Sequence, residues 1–199
     1  MDSTREPEPE LAKLVGFSAL VFSVLYFASD VFEASQGGFS DPQLWLTLVA
    51  EAAIPFFVIG LYLVQRPRIG PLGAVCAFAY AYSFVFFTGT VVYALLNGTS
   101  DYSALSEELG VAMIVHGAIM LFAGLGFGYA VVRAGVLPPW SGIVLMVGVV
   151  LVVVTQSMAE GPQLLAAGIR DLGFAGMGAS LLGAGRALDA THGGLRPEH

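Results

Sequence analysis

Six long apolar runs, at about 11–33, 43–64, 70–96, 107–133, 139–159 and 163–186, occupy most of this 199-residue sequence. A helix rises 1.5 Å per residue, so about 20 apolar residues cross a hydrocarbon core of about 30 Å, and every run is long enough. Inside lipid the backbone must satisfy its own hydrogen bonds, which restricts the options to helices and closed barrels. Barrel strands need only about 10 residues and alternate in polarity, and these runs do neither. Charged residues make up 12% of the chain, against about 25% in ordinary soluble domains. The sequence therefore predicts an all-α, polytopic transmembrane six-helix bundle over 11–188, flanked by unstructured tails at 1–10 and 189–199.

The basic residues orient it. Arg5 and Lys13 flank the first run, Arg66 and Arg68 the turn between the second and third, Arg133 the turn between the fourth and fifth, and Arg186 and Arg196 follow the sixth. The other loops, at 34–42, 97–106 and 160–162, contain no Lys or Arg. Retention of positive charge on the cytoplasmic side places both termini in the cytoplasm, in a multi-pass protein of the cell (cytoplasmic) membrane. The first run does not read as a cleaved leader, because Asp2, Glu6, Glu8 and Glu10 precede it where a leader has positive charge.

Short connections make consecutive helices antiparallel neighbours, in three hairpins. Small residues recur every fourth position at Gly124 and Gly128, at Gly73, Ala77 and Ala81, and at Ala175, Ala179 and Gly183, and these stripes permit close helix contact. Pro55 is expected to bend the second helix and free a carbonyl near Glu51. Tyr62 and Arg66 echo Tyr129 and Arg133, a spacing that the shared interfacial preference of the two residue types explains.

Polar residues are placed unevenly. Glu51, His116, Arg170 and Asp171 lie deep in the half opposite the basic ends, while Asp30, Glu33, Glu107, Glu108, Gln156 and Glu160 lie nearer the surface. A charge in the membrane interior costs about 2.5–3.5 kcal/mol on insertion scales, so such groups turn toward one another or toward a wet cavity. Arg170 stays protonated and needs acceptors. Asp171 leaves the helix about 100° from Arg170, which makes Glu51 or Glu160 the expected partner of Arg170 and leaves Asp171 to orient His116. An ion pair that only fixes packing, and snorkelling of Arg170 to the headgroups, are the structural alternatives. Tyr26, Tyr80, Tyr82 and Ser83 are further hydroxyls near this depth, and Phe84, Phe86 and Phe87 read as core or lipid-facing residues.

Several functions are excluded. No basic tract suits nucleic acid, and the net charge is −7. Cys76 is the only cysteine, so neither an intrachain disulfide nor a CxxC pair can form. No lysine lies in the interior of a membrane span to carry a retinal Schiff base, and no HExxH, GxSxG or P-loop occurs.

At Arg133-Ala134-Gly135-Val136-Leu137-Pro138, with Gly142 following, one helix ends in a basic residue and a small-Gly-x-Leu-Pro turn leads into the next. This stretch, within 124–149, resembles a signature in an uncharacterised bacterial family of small multi-helix membrane proteins. The resemblance implies a six- or seven-span bundle and no assigned activity.

Three functions remain open at the level of sequence. The preferred one is binding, and in its extended form passage, of a small or lipidic ligand in a polar cavity open to the outer side. Arg170 would attract an anionic or hydrogen-bonding group there, oriented by Glu51, His116 and Asp171. A second is a membrane-embedded hydrolase in which His116, Glu51, Glu160 and Asp171 hold a divalent metal that activates water against a lipidic substrate. A third is a non-catalytic accessory subunit of a membrane complex. No cofactor is predicted outside the hydrolase reading. Expected partners are membrane lipids, the ligand, and a second copy or another membrane protein.

Overall fold

A computed structural model describes the backbone of residues 9–193 and the side chains of 9–184. It is entirely helical among the described residues: α1 (Pro9–Gln36), α2 (Asp41–Val64), α3 (Gly70–Asn97), α4 (Tyr102–Leu109), α5 (Val111–Ala134), α6 (Pro139–Thr155) and α7 (Glu160–Gly193). Four of these, α1, α2, α3 and α5, are long and apolar enough to cross a membrane, whereas α6 is shorter, at 17 residues. α7 has 34 residues and carries Arg170 and Asp171 within it, and it continues past the sequence-based limit at 186. Residues 1–8 and 194–199, which include most of the two expected tails together with Arg5 and Arg196, lie outside the described residues.

The helix ends follow local chemistry. Pro42, Pro71 and Pro139 stand in the first turns of α2, α3 and α6, where a missing N–H costs nothing. Gly98 and Gly135 close α3 and α5 in left-handed conformation. The fourth apolar run is not one helix. Gly110, at φ 47° and ψ −120°, separates a short helix α4 from α5, and only glycine enters that region readily. Glu107 and Glu108 therefore belong to α4 and not to the membrane-length helix that the run suggested. α2 runs unbroken through Pro55, whose nitrogen has no hydrogen to give the carbonyl of Glu51.

Each long helix packs on its neighbours in sequence, in the order α1, α2, α3, α5, α6, α7, and α7 returns to α1 to close a ring. Glycines set the closest approaches. A Cβ on Gly16 would stand 2.9 Å from the Gly178 carbonyl oxygen, and one on Gly128 would stand 2.7 Å from that of Gly142. A Cβ on Gly148 would collide with the backbone of Arg170, so this glycine brings α6 directly against the charged turn of α7. Of the predicted small-residue stripes, Gly124 and Gly128 lie in such a contact, facing Val149, Met146 and Gly142.

The ring has an apolar core toward the 64–70 and 134–139 turns, built from residues such as Phe57, Leu61, Phe127, Leu137 and Val131. Its outside is also apolar: Phe56 is 77% exposed, Leu96 80% and Phe122 71%. Soluble proteins do not leave so much contiguous apolar surface to water. A second, smaller core of Leu44, Val91, Ala94 and Leu105 seats α4 over the opposite end of α2 and α3.

Candidate functional site

Three polar helix faces converge at the end of the ring that bears the Lys- and Arg-free loops. On α2, Gln43, Thr47 and Glu51 recur every fourth residue and share one side. On α1, Tyr26, Asp30 and Glu33 do nearly the same, and α7 contributes Arg170 and, nearer its start, Gln163 and Glu160. Together with apolar residues of α3, α5 and α6 they line a cavity of about 540 Å³.

Arg170 lies at its inner end and is 5% exposed. Its Nε donates to Asp171 Oδ1 at 2.9 Å and its Nη2 to Asp171 Oδ2 at 3.2 Å. The same Nη2 stands 3.8 Å from Asp30 Oδ2. The guanidinium carbon lies 4.6 Å from the centre of the Tyr26 ring, a cation–π distance. Tyr26 extends the chain by donating its hydroxyl to Glu51 Oε1 at 2.6 Å.

The partner of Arg170 is thus the adjacent Asp171, in place of the expected Glu51 or Glu160. The Cα–Cβ directions do diverge around the helix, but an arginine stem is long enough to bring its head back over its neighbour. Asp171, so engaged, does not orient His116.

A second network continues along the α1–α2 seam. The hydroxyls of Ser29 and Thr47 lie 2.7 Å apart, and Thr47 donates to the Gln43 carbonyl at 3.0 Å, which leaves Ser29 as the donor between them. Gln43 Nε2 donates to Thr47 Oγ1 at 2.9 Å and to Glu33 Oε2 at 3.3 Å. Two buried oxygens of these side chains have no partner among the described residues: Glu51 Oε2 and Gln43 Oε1. Both residues line the cavity, and Glu51 is 4% and Gln43 1% exposed.

The mouth is stitched from three connections. Phe39 N–H donates to the Ser100 carbonyl at 2.7 Å, where a Cβ on Gly38 would leave only 2.8 Å to the same oxygen. Gln156 Nε2 donates to the Tyr102 hydroxyl at 3.2 Å. Asp101 caps α4 by accepting from Ala104 N–H at 2.9 Å. That bond, together with the Ser100 hydroxyl, holds the Asp101 carboxyl below its ordinary range, while burial pushes the Tyr102 phenol up. Asp30, Glu33, Glu51, Asp101 and Glu160 line the cavity, five carboxylates against the single guanidinium of Arg170.

The other residues singled out by the sequence lie elsewhere. Asp171 faces a second, largely apolar hollow of about 600 Å³ bounded by α1 and α7, with Ser23, Phe27 and Leu172 in its wall. The Arg170–Asp171 pair therefore separates the two hollows. His116 is on the outer surface of the α3–α5 pair, with its ring stacked on Phe86 at 3.7 Å and its Nε2 3.2 Å from the Tyr82 hydroxyl. Its Nδ1 lies 2.8 Å from the Ala112 carbonyl.

His116, Glu51, Glu160 and Asp171 consequently do not come together. Among the described residues no group of three His, Cys, Asp or Glu side chains could hold a metal ion. Tyr80 is buried in the core, and Ser83 donates to its carbonyl. Phe84 and Phe87, read as core or lipid-facing, also form cavity wall. Sequence reasoning missed Gln43, Thr47 and Ser29, although the four-residue recurrence of 43, 47 and 51 in an apolar helix carries the signal. Compared with protein-family models, curated proteins and solved structures, the chain matches none.

Proposed function

We propose that this chain is an integral membrane protein that crosses a cell membrane six times, with both termini cytoplasmic, and binds a small ligand in the cavity between α1, α2, α3 and α7. The six-helix ring, the apolar exterior and the confinement of basic residues to one set of turns support the topology. The observation that carries the binding reading is Glu51, a buried carboxylate with one oxygen unpartnered at the wall of a cavity of about 540 Å³. Ligand sites fall in the range of about 300–1,000 Å³, with apolar walls and a few placed polar groups, and this cavity has both. The hydrolase reading loses support because its four metal ligands are dispersed.

The test is chemical access. Met120 lies in the cavity wall and is only 7% exposed. In a Cys76→Ala background, Met120→Cys should react with 2-hydroxyethyl methanethiosulfonate, a small neutral polar reagent, in the folded protein in lipid nanodiscs. Phe127→Cys, fully buried in the apolar core, should not. Equal inertness of both cysteines would mean a closed, dry bundle and would overturn the binding reading.

A further inference from the structure

We infer that the ligand is a protonated primary or secondary amine with a compact hydrocarbon portion, an inference that rests on the binding reading above. The two buried unpartnered atoms at the wall, Glu51 Oε2 and Gln43 Oε1, are both acceptors, so the complementary group must bring N–H or O–H donors. One of the two belongs to a carboxylate, which selects a positively charged donor over a neutral one.

The charge balance points the same way. Among the described residues the only guanidinium in the wall is already faced by Asp171 and Asp30, while Glu51, Glu33 and Glu160 have no basic partner there. An anion entering this space would meet more carboxylate than guanidinium, so the anionic ligand that Arg170 suggests in the sequence is disfavoured. Phe84, Phe87 and Val91 form an apolar and aromatic side to the same cavity, which suits a short hydrocarbon group and presents ring faces to a cation. A quaternary ammonium has no hydrogen to give either orphan oxygen and is excluded by the same geometry.

The experiment uses the full chain in neutral phosphatidylcholine nanodiscs and four probes that share one tail: n-hexylammonium, n-hexyltrimethylammonium, n-hexanol and hexanoate. Thermal unfolding against probe concentration gives an apparent affinity for each, because a ligand bound only by the native state raises Tm. Hexylammonium should bind at least about 10-fold more tightly than the other three, the scale of one charge-assisted hydrogen bond. Glu51→Gln, which keeps the shape of the side chain, should weaken hexylammonium by about 10- to 100-fold and leave the small effects of the others unchanged. Glu160→Gln, at the exposed mouth and outside the buried network, should weaken it by about 2-fold at low salt and less at high salt.

Preference for hexanoate or hexanol, or a response to sodium ion that Glu51→Gln abolishes, would overturn the amine and leave the binding cavity standing. Equal shifts by all four probes, indifferent to Glu51→Gln, would mean partition into lipid and would also overturn it. No response to any probe would overturn the amine class if Met120→Cys is still labelled, and both readings if it is not.

Discussion

Arg170 is held by groups that are costly to bury without it. A buried cation with two carboxylates within reach contributes little net stability over an apolar replacement, yet removing one partner leaves the rest uncompensated. Arg170→Met strands Asp171, which accepts two hydrogen bonds from the guanidinium, and relaxes the clamp on Tyr26. It should destabilise the protein by about 3–5 kcal/mol, read as a large fall in Tm in nanodiscs. The double variant Arg170→Met/Asp171→Leu should recover a substantial part of that loss. Strictly additive losses would show that the two side chains do not act as a pair. Tyr26→Phe is a milder test of the same chain. It removes the hydrogen bond to Glu51 Oε1 and should cost about 1–3 kcal/mol, because neither oxygen of this buried carboxylate then has a partner among the described residues. A loss well below this would mean that water or a ligand already serves the carboxylate.

At the scale of elements, glycine decides where helices meet. Gly148→Ala would push a methyl group into the backbone of Arg170 and should cost about 1–3 kcal/mol through overpacking, with α6 displaced from the charged turn. Gly89→Ala, in α3 with open space around its Cβ, should be neutral or stabilising by up to about 1 kcal/mol. Comparing the two Tm values separates packing from helix propensity. α4 depends on a titrating cap. The Asp101 carboxyl is held low by Ala104 N–H and Ser100, so it favours the folded form above the ordinary carboxylate range and loses that contribution as pH falls through its lowered value. Amide protection in α4, corrected for intrinsic exchange rates, should be flat from neutral pH down to about 5 and fall below about 4. Asp101→Asn, which keeps an acceptor without a charge, should flatten the curve.

The same scale shows what the sequence could and could not reveal. The all-helical, apolar character was legible because apolar length is a composition effect that survives any packing, but the number of helices among the described residues is seven and not six. The break at Gly110 was not legible, since a glycine between Leu109 and Val111 reads as tolerable inside an apolar run. Glu51 and Arg170, singled out by their position along the helices, are both buried. The pairing of Arg170 with Asp171 was not legible, because a helical wheel fixes where a side chain leaves the backbone and not where a flexible arginine ends. His116 shows the reverse error: its depth suggested the interior, while its azimuth places it outward against Phe86 and Tyr82.

For the whole molecule the decisive matter is which side the cavity faces. In the ring every consecutive pair of long helices is in contact and the connections are short, so the chain reverses direction five times and the start of α1 and the end of α7 share a side. The basic turns at 66–68 and 133 then lie at the same end as the termini, and the acidic mouth at 33–41, 101–108 and 156–160 lies at the other. In the proposed topology, with positive charge retained in the cytoplasm, the mouth faces outside. Single cysteines in the Cys76→Ala background test this directly in intact cells. Ser100→Cys, beside the mouth, should react with a membrane-impermeant maleimide without permeabilisation, whereas Val136→Cys, in the exposed turn after Arg133, should react only after the membrane is opened. The reverse pattern would invert the topology and turn the cavity toward the cytoplasm, where the carboxylate-rich mouth would sample a different pool of cations. Labelling of both sites from outside would mean that α5, which lies between them, does not span, and the six-span ring would be overturned.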